Sequence, residues 1–207
     1  MPEMLDVIDE TDNVIGQEER DICLEKKLLH RAIHVFVFNS KGELLLQKRS
    51  IKKKIFPGKW CASCSGHVSA GQSYEEAAVR ELEEEIGIKV EKMEFVAKFF
   101  DRNPIDNEIA MLFKISHEGP FKIQEDEVDE VKFASMDWLQ KDMKNFPENY
   151  TTDFVLALDE FLKAESSKAI MERIILVDEN DRQIGTEEKV RAHENGGKLH
   201  RSFSIFV

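Results

Sequence analysis

The stretch from Gly66 to Ile88, GHVSAGQSYEEAAVRELEEEIGI, leaves the fold less freedom than any other part of the chain. Ser73 followed three residues later by Glu76 is a capping box, in which each side chain satisfies a backbone N–H at the start of a helix. Gly87 supplies the left-handed stop. A helix is therefore predicted over Tyr74–Ile86. Advancing roughly 100° per residue, Ala78, Val79, Leu82 and Ile86 fall on one side as a core stripe, while Glu76 and Glu83 face solvent. Glu81, Glu84 and Glu85 share a third stripe bordering the core. Like charges at these spacings repel by a few tenths of a kcal/mol per pair, so the stripe is either a solvated face or the seat of a cation. Three convergent carboxylates suit Mg²⁺ or Mn²⁺, which take hard oxygen ligands.

Strands are expected around this helix. LDVIDETDNVIG is predicted as a hairpin turning at Asp12-Asn13. HRAIHVFVFN and ELLLQKR form two apolar strands joined at Ser40-Lys41-Gly42, and a further strand is placed near CASCSG. KVEKMEFVAKFF and EIAMLFKI supply two more. SMDWLQKDM and TTDFVLALDEFLKA, with Phe154, Leu158 and Phe161 in helical spacing, close the unit. AESSKA reads as a linker.

Beyond it the chain repeats itself. IDETDNVIGQEE (8–19) is matched by VDENDRQIGTEE (177–188), and HRAIHVFV (30–37) by HRSFSIFV (200–207). About thirty residues recur in order, a repeat too long to assign to chance. The expected organisation is one domain over residues 1–165. Residues 166–207 are then a linker and the truncated start of a second, similar domain, comprising a hairpin, a short helix and a strand. The alternative is a C-terminal hairpin and strand docked on the first domain or on another subunit. The apolar strand Ser202 to Val207 is an edge available for homo-oligomer formation.

The net charge of −12 argues against a nucleic-acid partner, because phosphate backbones attract basic surfaces. No apolar run approaches the ~20 residues that span a bilayer, and the N-terminus shows no basic segment leading into an apolar one. Three cysteines, Cys23, Cys61 and Cys64, are too few for a disulfide framework and suit a reducing compartment. The expected location is the cytoplasm.

The 23-residue stretch resembles the Nudix box, G-x5-E-x7-R-E-U-x-E-E-x-G-U, where U is aliphatic. Gly66, Arg80, Glu81, Leu82, Glu84, Glu85, Gly87 and Ile88 match in spacing, and the first glutamate of the pattern is replaced by Gln72. The resemblance implies an α/β fold, an α/β/α sandwich with a mixed sheet. It also implies that Glu81, Glu84 and Glu85 hold the metal, with Glu84 or Glu81 orienting or deprotonating the attacking water. Between Glu43 and Glu75 the chain has no acidic residue but carries Lys48, Arg49, Lys52, Lys53, Lys54 and Lys59. Within this island Lys48, Arg49, Lys53 and Lys54 are the candidate phosphate contacts, a solvated basic loop being the alternative.

KKKIFPGKWCASCSGH and NPIDNEIAMLF also resemble type 1 isopentenyl-diphosphate isomerase, a Nudix-fold relative whose active site holds a cysteine just before a Gly-His pair. Here that position is Ser65, a hydroxyl poorly suited to acid–base work beside a thiol. Cys64 is one residue early and points to the other face of a strand. That family implies a further metal site, whose positions here are Cys23, His30, His67, Asp106 and Glu108; Cys23 stands where the family has a histidine. His193 and His200 keep the family's spacing in the second copy. Scattered His and Cys positions seldom prove to be ligands, so a polar remnant without metal is the expectation, with ligation by the Cys23 thiolate as the alternative. Cys61 and Cys64 are expected to be buried structural thiols. QEDEVDE (124–130) is expected to be a solvated loop, with Glu127 the candidate for an extra site carboxylate.

The function expected is hydrolysis of a diphosphate linkage in a small organic or nucleoside diphosphate, dependent on Mg²⁺ or Mn²⁺. Isomerisation of isopentenyl diphosphate and non-catalytic binding of a phosphorylated ligand are the alternatives.

Overall fold

The computed structural model describes residues 2–171, 173–188 and 198. Two compact units are present, Met1–Phe161 and Leu162–Val207.

In the first unit, β1 (Met4–Ile8) and β2 (Val14–Glu19) form an antiparallel hairpin and lead into a short helix, α1 (Arg20–Lys26). Asp12 adopts φ 66° in the hairpin loop, a left-handed conformation that Asp and Asn tolerate better than other side chains. Seven strands make the central mixed sheet: β3 (His30–Phe38), β4 (Leu44–Arg49), β5 (Trp60–Cys61), β6 (Cys64–His67), β7 (Glu94–Arg102), β8 (Asn107–Ser116) and β9 (Val128–Ala134). The single strand expected near CASCSG is thus two short ones. They attach to different neighbours, β5 to β4 and β6 to β3. β3 and β8 run parallel, with His30 opposite Glu108.

Strand alternation gives β3 two faces. Ile33, Val35 and Val37 join Cys64 and Phe113 in a core against Ala77, Ala78, Leu82 and Ile86 of α2 (Tyr74–Ile86). On the other face, Phe36 and Phe38 pack on Phe154 and Phe161 of α4 (Thr152–Met171). The result is the expected α/β/α sandwich. α3 (Met136–Asn145), capped by the Ser135 hydroxyl, and a 3₁₀ turn (Pro147–Asn149) complete the unit.

Helix α2 has the predicted bounds, with both hydrogen bonds of the capping box formed and Gly87 left-handed at its end. One detail of its core stripe differs: Ala77 is fully buried and Val79 only half-buried. AESSKA is helical, within α4. It has no proline or glycine, and Ala, Glu and Lys all propagate a helix readily.

In the second unit, β10 (Arg173–Val177) and β11 (Gln183–Glu188) pair with the register and bulge of β1 and β2, displaced by one repeat. Asp181 takes φ 60° at the position equivalent to Asp12. His193, His200 and the strand Ser202 to Val207 lie outside the described residues.

Candidate active site

The carboxyl stripe of α2 borders a cavity of about 630 Å³, and Glu81, Glu84 and Glu85 all line it. They are graded in exposure. Glu85 is 7% exposed, the Glu81 side chain 13% and the Glu84 side chain 59%. Arg80 holds two of them together, its Nη1 lying 2.7 Å from Glu81 Oε1 and 3.0 Å from Glu84 Oε2. Arg80 in turn is fixed by the His67 carbonyl, 3.2 Å from Nη2, and weakly by Gln72, whose Oε1 is 3.4 Å from Nε. Glu83 lies off the stripe and pairs instead with Lys89 at 2.8 Å.

Gly66 on β6 explains how Glu81 is seated. A Cβ at this position would stand 2.5 Å from Glu81 Oε1 and 2.6 Å from its Cδ, closer than real Cβ atoms approach. The carboxylate therefore lies directly against bare backbone, and any side chain at position 66 would displace it.

Burial raises the Glu81 carboxyl above its usual range against the opposing pull of Arg80. Glu85 is pushed up to about 7 by burial first and by Glu81 second; Cys64 and Arg49 lower it. With its amide oriented so that the nitrogen faces acceptors, Gln47 donates to Glu85 Oε2 at 3.2 Å and to the Ser63 carbonyl at 2.8 Å. Two carboxyls whose ionised forms are penalised by burial and by neighbouring carboxylates fit a cation, which would restore both charges.

The basic island divides. Arg49 and Lys53 line the cavity; the Arg49 Nε donates to the Ile55 carbonyl at 3.1 Å, and Lys53 pairs with Glu127. Lys48 and Lys54 do not line it. Lys48 leaves β4 on the opposite side from Arg49 and lies over the Trp60 ring at 5.8 Å, as alternation along a strand requires. Lys54 is exposed on the loop. Glu127 does reach the cavity, at the end of a loop that passes directly into β9.

Across the cavity, four of the five positions of the second candidate metal site converge. One ligand atom from each of His30, His67, Asp106 and Glu108 lies within 4.8 Å of the others. His30 Nε2 is 3.2 Å from Asp106 Oδ1 and 3.5 Å from Glu108 Oε1. His67 Nε2 is 3.4 Å from Asp106 Oδ2 and 3.1 Å from Glu108 Oε1. Cys23 stands outside this group: it is buried, its thiol is pushed up mainly by burial, and its Sγ is 3.9 Å from the Glu18 carbonyl.

The hydrogen bonds test whether this cluster fits a cation. His30 Nδ1 lies 2.8 Å from the Leu28 carbonyl, so Nδ1 carries hydrogen and the buried Nε2 aims at two carboxylates. A lone pair there suits a metal, and a proton there makes an imidazolium. Burial opposes that proton, but Asp106 and Glu108 overcome it and raise His30 to about 10. His67 differs. Arg20 Nε donates to its Nδ1 at 3.0 Å, which puts the ring hydrogen on Nε2, facing Asp106 and Glu108. Asp106 and Glu108 therefore present ligand atoms directly, His30 does so once its Nε2 proton leaves, and His67 only when Arg20 turns away.

Cys61 and Cys64 are buried free thiols, both raised chiefly by burial. Cys64 packs in the core against α2, whereas Ser65 faces the cavity. The two residues thus take opposite faces of β6.

The cavity also contains residues that reasoning from sequence missed. His34 and Asp153 line it, and Asp101 lies in their electrostatic neighbourhood. His34 was legible in one respect: HRAIH places it four residues from His30 on the strand, on the same face. Asp153 at the start of α4 carried no comparable signal.

The NUDIX domain matches residues 28–154. The chain belongs to the Nudix family. It is 32% identical over 162 residues to an uncharacterised Nudix hydrolase of Pseudomonas aeruginosa, covering 78% of this chain and 95% of that one. It is also 35% identical over 155 residues to isopentenyl-diphosphate Delta-isomerase 1 of Aromatoleum aromaticum, covering 73% and 88%. Among solved structures, DR0079 of Deinococcus radiodurans superposes with a TM-score of 0.67 at 25% identity, covering 78% of this chain and 99% of that one. The Nudix match and the hydrolase relatives place the chain among the Nudix-type pyrophosphohydrolases as an enzyme class. Among the described residues, no helix is long and apolar enough to cross a membrane.

Proposed function

We propose that this Nudix protein hydrolyses a diphosphate linkage in a small organic or nucleoside diphosphate, with Mg²⁺ or Mn²⁺ held by Glu81, Glu84 and Glu85. The observation that carries the reading is the seat of Glu81 on Gly66, in a cavity that also contains Glu84, Glu85, Arg49 and Lys53. When bound, the metal supplies Lewis acidity and lowers the pKa of a coordinated water. Arg49 and Lys53 neutralise diphosphate charge. Glu84, the most exposed of the three, and Glu81 orient the attacking water and accept its proton, and Arg80 keeps the pair in place. The buried free cysteines support a cytoplasmic location.

The test is release of phosphate products from a panel of diphosphates with Mg²⁺ or Mn²⁺. Glu84→Gln and Glu85→Gln are each expected to lower kcat/KM on the order of 10²–10³-fold, as loss of a charge-stabilising group does. Activity that survives both substitutions rules the reading out.

The His30–His67–Asp106–Glu108 cluster favours one second reading, an isomerase. Ser65 faces the same cavity but offers no acid–base group near neutrality. Interconversion of the two five-carbon diphosphates by the wild-type chain would establish that reading. Appearance of this activity only in Ser65→Cys would show a hydrolase on an isomerase frame.

A further inference from the structure

Two of the cations that line the cavity are prepared in different ways. Arg49 is held by a neutral group, its Nε donating to the Ile55 carbonyl at 3.1 Å. Lys53 is covered by an anion, the carboxylate of Glu127, and both of these residues line the cavity. A second ion pair lies beside it. Lys52 Nζ is 2.6 Å from Asp126 Oδ1, and neither Lys52 nor Asp126 lines the cavity. The basic loop 50–58 thus meets the acidic loop 124–129 through adjacent ion pairs, one outside the cavity and one at its wall.

The inner pair is not what holds the loops together. Ser50 N donates to the Glu127 carbonyl at 2.9 Å and Ile51 N to Asp129 Oδ2 at 3.1 Å. Within the basic loop, Lys53 N donates to the Ser50 carbonyl and Gly58 N to the Arg49 carbonyl, each at 3.0 Å. Glu127 N donates to the Gln124 carbonyl at 2.9 Å, and the next residue, Val128, pairs with Arg49 as β9 meets β4. These bonds fix both main chains, so register alone brings the Lys53 and Glu127 side chains together. An ion pair whose side chains are 26% and 38% exposed adds little to stability.

What the inner pair does change is the charge that an anion meets. An ammonium offers three donors and a single positive charge; with Glu127 against it, that charge is already neutralised. The Glu127 carboxylate also opposes ionisation of Glu85, so its charge is felt inside the cavity. Neither side chain of the pair is buried, and the carboxylate can turn into solvent without breaking a backbone bond. A diphosphate carries more than one negative charge and several acceptor oxygens, which a lone carboxylate cannot match at the ammonium. An exposed pair of this strength therefore holds Lys53 in place in an empty cavity and yields to a more highly charged anion.

We infer that Glu127 is a built-in competitor of substrate phosphate: it occupies Lys53 in the empty cavity, is displaced into solvent when a diphosphate binds, and reclaims the lysine when the anion leaves. The inference rests on the diphosphate reading above and deepens it. Glu127 acts through Lys53 as a positioning residue and is not one of the metal ligands. Its competition weakens anion binding and, by the same amount of free energy, favours release.

The test uses the full chain with Mg²⁺ and methylenediphosphonate, a non-hydrolysable diphosphate, with Kd read by calorimetry at low salt. Glu127→Gln is expected to bind this probe about two- to fivefold more tightly than wild type, the scale of one partly exposed ion pair. Added salt should shrink the difference, because the lost pair is screened. Lys53→Met should weaken binding, and Glu127→Gln added to it should bring no gain, since the two side chains act as a unit. Asp126→Asn removes the same charge outside the cavity and should bring no comparable gain. A pair that serves only to brace the loop predicts the opposite sign, with Glu127→Gln weakening the probe. Weaker or unchanged binding in Glu127→Gln, or an equal gain in the Lys53→Met background, overturns this inference alone. Loss of Mn²⁺ binding by Glu127→Gln, read without the probe, also overturns it by making the residue a metal ligand. Failure of the probe to bind wild type and Glu127→Gln alike overturns the diphosphate reading together with it.

Discussion

Gly66→Ala tests how the metal-facing carboxylates are positioned, without touching any of them. The new Cβ would arrive 2.5 Å from Glu81 Oε1, 2.6 Å from Cδ and 3.0 Å from Cγ, where ordinary contacts begin at 3.4 Å. The carboxylate must therefore withdraw by about 0.9 Å, and it cannot simply swing into open solvent, because its side chain is only 13% exposed and is tied to Arg80 at 2.7 Å. The backbone is not strained by the substitution, since Gly66 is not among the glycines with positive φ. The expected stability loss is therefore modest, about 1–2 kcal/mol for a crowded site. The expected loss of rate is larger, on the order of 10²-fold in kcat, which is what an ångström of misplacement costs at a reacting centre. The assay is diphosphate hydrolysis with Mg²⁺, run beside Glu81→Gln and the double substitution. The two single changes disable one group, so their effects should not add. Full activity in Gly66→Ala, or additive losses in the double variant, would refute the seat as the device that positions Glu81.

Three further outcomes concern the frame. Asp12 accepts from Arg31 at 2.6 Å and from Tyr74 at 3.1 Å and pairs with Lys98; burial opposes its charge, but these partners hold its carboxyl below 3.8. Its contribution is thus complete above pH 3.8 and lost as pH falls through the lower folded value. Asp12→Asn should cost about 1–2 kcal/mol at pH 7 after screening, and in urea titrations its gap from wild type should shrink as the pH drops below 3.8. Gly87→Ala should cost about 1–2 kcal/mol for the left-handed conformation alone, and more because its Cβ would meet Lys122 Cβ at 2.9 Å; thermal melts measure it. Leu82→Ala, which empties a fully buried site between α2 and the sheet, should lose about 2–5 kcal/mol by the same measurement.

What was legible in the sequence follows the range of the interactions involved. The capping box and Gly87 act within a few residues, so α2 could be bounded from its own letters. The hairpin turn at Asp12 is equally local. The Glu81–Glu84–Glu85 stripe follows from helical geometry, although its gradient of burial does not, because that depends on where β6 crosses beneath it. Lys48 and Arg49 were indistinguishable as members of a basic run until pairing between β4 and β5 decided which one faced the cavity. AESSKA gives no sign of its helical state, because small polar residues serve linkers and helix interiors alike, and α4 continues through them. His34 and Asp153 reach the cavity through strand pairing and the packing of α4, and no short pattern records that.

The parallel ladder between β3 and β8 begins at the rung that joins His30 to Glu108. Parallel pairing of distant segments is a slow, entropically costly step in building a sheet. Here that step also creates the cluster, because neither residue has its partner until the rung closes. Occupying the cluster and completing the sheet are thus one thermodynamic event. A cation that prefers the folded cluster would raise the unfolding free energy by RT ln(1 + [L]/Kd), so heat stability can report on that site even where no turnover is observed.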